Sequence, residues 1–134
     1  MEEKIHIKAL SSIYETKPWG YQDQPDFLNQ VVEGQVDLTP TKLLNFLKHL
    51  EKKMGREVNF RNGPRLIDLD ILLYGDRVMR TTRLNIPHPQ IVERAFVLVP
   101  LAEIAPKLMH PVLHKSVSEL LAELPERNEV KRCK

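Results

Sequence analysis

The chain has 134 residues, 42% of them hydrophobic and 28% charged, with a formal net charge of +2. That is enough chain for one hydrophobic core, and it predicts a single domain over residues 1–134. The charge balance is too weak to argue for a nucleic-acid partner, and no run is apolar enough for a membrane span. The single cysteine, Cys133, excludes an intrachain disulfide framework and points to a cytoplasmic setting.

In chain order, the alternation of Ile5, Ile7 and Ala9 predicts a strand from Ile5 to Tyr14. Lys17 to Gln24 reads as loop, with Pro18 and Gly20 as breakers. A second strand is expected from Phe27 to Val36. Thr39-Pro40 is a helix start, a capping hydroxyl followed by proline in the first turn. Leu43, Leu47, Leu50 and Met54 carry the apolar stripe of that helix, and Gly55 is expected to stop it. Glu51 beside the stripe reads as a helical charge pair with Lys48 or Lys52. Arg56, Arg61 and Gly63-Pro64-Arg65 then form a basic loop.

Leu66 to Tyr74 reads as a strand, and Gly75-Asp76 as the turn that ends it. Side chains alternate along a strand, so Asp68 and Asp70 share a face, about 7 Å apart at the backbone. Paired carboxylates on an apolar strand repel each other and lose hydration. A hard divalent cation, Mg²⁺ held with waters and phosphate oxygens, would compensate; salt bridges to neighbouring arginines, or a strand with one solvated face, are the alternatives. Arg56, Arg61 and Arg65 precede the acids, and Arg83 and Arg94 follow. Acids for a metal beside several guanidinium groups suit phosphoryl chemistry. Pro87-His88-Pro89 holds its histidine stiffly. Gln90 to Leu101 and Val117 to Leu124 are expected to be mostly helical. His6, His49, His110 and His114 lack metal-like spacing and read as structural or solvent-facing. Lys131 to Lys134 reads as a frayed tail.

The run Arg61-Asn62-Gly63-Pro64-Arg65-Leu66-Ile67-Asp68-Leu69-Asp70-Ile71-Leu72-Leu73-Tyr74-Gly75 resembles the signature of the 6-hydroxymethyl-7,8-dihydropterin pyrophosphokinases of folate synthesis. Three more segments agree in order. They are Ser11 to Gly20, Gln22 to Asn29, and Leu84 to Pro89 followed by Arg94-Ala95-Phe96-Val97-Leu98. The resemblance implies an α+β fold, a ferredoxin-like sandwich in which helices pack on an antiparallel sheet. It implies an enzyme that moves the two terminal phosphates of ATP to the pterin's hydroxymethyl oxygen and leaves AMP. By the same resemblance Asp68 and Asp70 hold two Mg²⁺ ions. Glu51, Arg65, Ile71, Arg83, His88 and Arg94 contact the nucleotide. Arg56 and Arg61 sit in a closing loop and, with Arg65 and the two acids, serve catalysis. Thr16, Lys17, Trp19, Phe27, Asn29 and Phe96 form the pterin pocket, with Phe27 and Phe96 sandwiching the ring and Asn29 reading its edge.

The sequence departs from that family at Asn62, where many members have Trp, and at Lys48, Val58 and Pro89. It also opens where the family is already entering its second strand. The expectation is therefore a fold without the family's first strand–helix unit. Two other readings stay open: an ATP- and pterin-binding module without turnover, and an assembly fragment that self-associates or completes its sheet with a partner strand.

Overall fold

The computed structural model describes residues 5–16, 27–58, 68–125 and 130–133. The expected first strand forms as two, β1 (Ile5–Leu10) and β2 (Tyr14–Thr16). The expected second strand also divides, into β3 (Phe27–Asn29) and β4 (Val32–Val36). The breaks coincide because polar groups leave the ladder there. Ser11 is 3% exposed, and its hydroxyl accepts the Val31 N–H (2.9 Å) and donates to the Ser12 carbonyl (2.7 Å). The Ser11 carbonyl accepts the Gln30 side-chain amide (2.7 Å). These bonds satisfy buried backbone groups without a continuous strand. β1 then pairs antiparallel with β4, and β2 with β3.

Helix α1 (Pro40–Val58) begins as expected, and the Thr39 hydroxyl accepts the Lys42 N–H at 3.3 Å. It runs through Gly55 rather than stopping there. A glycine inside a helix costs only about 1 kcal/mol, which the packing of the stripe outweighs. Its Leu43 and Leu44 are buried with Ile71, Leu84 and Ile86 against Ile5 and Val36. β5 (Met79–Arg80) and β6 (Asn85–Ile86) make a short antiparallel ribbon after the Gly75 turn, where φ is +56°. A 3-10 turn at Ile91–Glu93 and then α2 (Ala95–Ile104) replace the one helix expected from Gln90. Pro100 lies inside α2 and removes the N–H that would reach the Phe96 carbonyl.

Helix α3 (Val117–Ala122) is closed by a reciprocal cap. Ser116 accepts the Glu119 N–H, and Glu119 accepts the Ser116 N–H. Ile91, Leu98, Leu101, Val117, Leu120 and Val31 form the second core cluster. The C-terminal run is not frayed. Lys131–Arg132 form β7, which pairs antiparallel with β2. The ladders among the described residues therefore make three small antiparallel sheets rather than one: β1–β4, β3–β2–β7 and β5–β6. The architecture is mixed α/β, with α1, α2 and α3 as its α-helices among the described residues. None of the described helices is long and apolar enough to cross a membrane.

Candidate active site

The acid-bearing segment has the alternation expected of a strand without the ladder. Residues 68–74 are assigned to no strand. Asp68 and Asp70 are exposed, while Ile71 is buried at 7% exposure. The segment lies between the two core clusters, with Ile71 in one and Leu72 and Leu73 packed against the other. Its backbone is held by side-chain and loop partners. The Leu69 N–H, between the two acids, donates to the Glu51 carboxylate on α1. The Leu72 carbonyl accepts the His88 N–H at 2.8 Å. Those bonds do what neighbouring strands would otherwise do. Glu51 also makes the expected helical pair, 3.4 Å from Lys48 Nζ. Exposed pairs of that kind contribute at most about 1 kcal/mol.

His88 joins the acids to the start of α2. Burial first, and then the charge of Arg94, hold its pKa below the usual value, while Asp70 pulls it the other way. His88 therefore lies within reach of both charges, Asp70 and Arg94. The Gln90 N–H donates to His88 Nδ1 (3.2 Å), so the neutral ring keeps its proton on Nε2. Arg94 donates to the Gln90 side chain and lies over the Phe96 ring, 5.4 Å from its centre. Arg83 is anchored elsewhere, donating to Asn45 on α1 at 2.6 Å. Ile71 has its side chain in the core, so only its backbone can face a ligand.

Asn29 opposes Tyr14 and Phe27 opposes Thr16 in the β2–β3 ladder. Among the described residues, Thr16 Oγ1 is buried without a hydrogen-bond partner. Lys17, Trp19, Arg61 and Arg65 lie outside the described residues, as do the side chains of Phe27 and Arg56.

The sequence reading missed Glu103. Its Oε1 accepts the Ser12 N–H (2.9 Å) and the Tyr14 hydroxyl (2.8 Å). Its Oε2 accepts the Ser12 hydroxyl (2.9 Å) and faces Arg132 at 3.9 Å. One signal was there: Glu103 is the sole charge in Ala95–Ile104.

The donor set around Asp68 and Asp70 fits Mg²⁺. Two exposed carboxylates on one side of a chain suit an ion that takes its remaining oxygens from phosphates and water. No group of three or more potential ligand side chains lies together among the described residues, so a cage made wholly by protein is not offered there.

A sequence model described as 7,8-dihydro-6-hydroxymethylpterin-pyrophosphokinase matches residues 1–106. The chain is 44% identical over 123 residues to the 2-amino-4-hydroxy-6-hydroxymethyldihydropteridine pyrophosphokinase of Aquifex aeolicus, covering 92% of this chain and 77% of that protein. It is 42% identical over 126 residues to the protein of the same name from Haemophilus influenzae, covering 94% and 78%. It is also 42% identical over 130 residues to the folic acid synthesis protein FOL1 of Dictyostelium discoideum, covering 97% of this chain and 20% of that much longer protein.

Proposed function

The chain belongs to the 7,8-dihydro-6-hydroxymethylpterin-pyrophosphokinase family, and from that membership we propose how its residues carry out the reaction. Pyrophosphate passes from ATP to the hydroxymethyl oxygen of 6-hydroxymethyl-7,8-dihydropterin, and AMP leaves. On this reading residues 1–134 are one ferredoxin-like sandwich domain working in the cytoplasm. The observation that carries the site assignment is that the charges of Asp70 and Arg94 both reach His88.

Asp68 and Asp70 would hold two Mg²⁺ ions, which supply charge neutralisation along the triphosphate. Everything else is positioning and electrostatics, as phosphoryl transfer requires. Glu51 fixes the backbone between the two acids through the Leu69 N–H, and its nucleotide contact is made from there. His88 offers an Nε2–H donor while staying neutral, so it adds a hydrogen bond and no charge. Arg83 approaches from between β5 and β6 and Arg94 from the start of α2, and Ile71 contributes backbone. Arg65 would contact the nucleotide, and Arg56 and Arg61 would belong to the closing loop.

Arg94 already covers one face of Phe96. A pterin ring stacked on Phe96 therefore takes the opposite face, with Phe27 as the second wall and Asn29 at its edge. The buried Thr16 hydroxyl, which has no partner among the described residues, supports a polar ligand atom on that side. Lys17 and Trp19 complete the pocket.

The test is AMP release that requires ATP, pterin and Mg²⁺ together. Asp70→Asn should lower kcat by about a thousandfold, since a bound metal supplies several kcal/mol and each 1.36 kcal/mol is tenfold. The thermal midpoint should stay unchanged because Asp70 is exposed. Full activity in that variant, or no AMP from the parent chain, overturns the reading.

A second reading has one observation in its favour. Ile7, Leu10 and Val32 on the β1–β4 ribbon are 51%, 58% and 48% exposed. That face supports self-association of the chain, which sedimentation at two concentrations would reveal.

A further inference from the structure

We infer that Glu103 is a positioning residue for the pterin slot: through Tyr14 it fixes where Asn29 stands relative to Phe96. The inference rests on the pterin reading above and adds a residue to which that reading gives no role.

Glu103 and Phe96 lie on one helix, seven positions apart, which is about two turns and returns to nearly the same face. Among the described residues, every side-chain bond that Glu103 makes leaves that helix. Ser12 and Tyr14 bring two hydroxyls and an amide to its carboxylate, and Arg132 approaches at 3.9 Å. The carboxyl is held below the usual carboxylate range, first by the Ser12 amide. It is therefore charged at neutral pH.

Tyr14 receives this restraint and passes it on. It is 5% exposed and stands opposite Asn29 in the β2–β3 ladder. Residues directly opposed across an antiparallel pair put their side chains on the same face. On its other side Tyr14 opposes Arg132, whose guanidinium lies 5.8 Å from the Tyr14 ring centre. The chain Phe96–α2–Glu103–Tyr14–Asn29 is thus a strut between the stacking wall and the edge-reading amide. A flat ring needs both at a fixed spacing, and about 1 Å of misplacement is costly.

The experiment compares Glu103→Gln, Tyr14→Phe and the double variant in the full chain. Pterin affinity is measured at equilibrium with a non-hydrolysable ATP analogue present, and nucleotide affinity is measured separately. Each single variant should bind pterin on the order of tenfold more weakly, with nucleotide affinity within about twofold of the parent. The double variant should be little worse than either single one, because both cut the same strut. Circular dichroism at the assay temperature checks that each variant is folded. Should Glu103→Gln fail to fold, Tyr14→Phe carries the test, since it keeps the ring and loses only the hydroxyl. Unchanged pterin affinity overturns the inference, as does a parallel loss of pterin and nucleotide affinity. A parent chain that binds pterin while the variants bind equally well sinks this inference alone. A parent chain that binds no pterin sinks the functional reading with it.

Discussion

The two ends of α2 are held in opposite ways. At its start, Arg94 bonds Gln90 four residues away, and Gln90 bonds His88 two residues away. At its end, Glu103 bonds Ser12 and Tyr14 across 91 and 89 residues. The first network is local, and it is built on groups that keep a charge or a donor for something else. The second is long-range, and its carboxylate accepts three hydrogen bonds from within the protein and faces Arg132. A ligand-binding end gains from side chains that can adjust, whereas a strut gains from partners that are remote and fixed. The same helix serves both because its middle is buried: Leu98 is 0% exposed and Leu101 is 5% exposed.

The sharpest way to break this contrast is to loosen the middle. Leu98 packs in the cluster of Ile91, Leu101, Val117 and Leu120. Leu98→Ala removes buried methyl groups and leaves a cavity, so stability should fall by about 2–5 kcal/mol. Denaturant unfolding measures it as a lower midpoint with unchanged slope. A loss below about 1 kcal/mol would show that α2 is not the seam between the two ends.

This difference between local and remote partners also governs how much the sequence disclosed. The helix start at Thr39-Pro40 and the Gly75 turn were both legible. Each depends on neighbours a few residues away. The one-strand readings of Ile5–Tyr14 and Phe27–Val36 failed because Ser11 takes the Val31 amide from 20 residues off. Gly55 looked like a stop, but α1 is set by its packed face and runs on. The tail at Lys131–Arg132 looked frayed because nothing local holds it; its partner is β2. Glu103 carried only a lone charge in an apolar helix as its signal. Sequence alone gives no address for a partner 89 residues away.

A smaller perturbation sharpens the remote side. Ser11 is buried, and its hydroxyl is the acceptor for the Val31 N–H. Ser11→Ala leaves that buried N–H without a partner, and such groups cost about 1–3 kcal/mol. Lys115→Ala provides the control, because the Lys115–Glu123 pair at 2.7 Å is exposed on both sides and should contribute far less. Equal losses in the two variants, measured by unfolding, would contradict the assignment of Ser11 as the clamp between the strand breaks.

The smallest effect expected is a dependence on pH, and it tests whether a local network can be as demanding as a remote one. His110 is 8% exposed, and its Nδ1 accepts the N–H groups of Val112 (3.2 Å) and Leu113 (3.1 Å). Its backbone N–H donates to the Lys115 carbonyl at 2.9 Å. An imidazolium has no acceptor at Nδ1, so protonation at that atom breaks both side-chain bonds. Burial first, and then the neighbouring His114, hold the His110 pKa below its usual 6.5. The folded state therefore favours the neutral ring. The stability this contributes is fully present above pH 6.5, the unfolded value, and is lost as pH falls through the lower folded value. Glu103 and Glu119 are held below 4.5, so their contributions fade only at more acidic pH. His88 is lowered in the same sense as His110 and would blur a single melting curve. The difference between the parent and His110→Asn removes it. The Asn Oδ1 accepts in place of Nδ1 but does not titrate, so between about pH 7 and pH 5 the parent should lose thermal stability faster than the variant. Parallel curves would mean that the turn after His110 tolerates the charged ring, and that its two amide bonds do not set its shape.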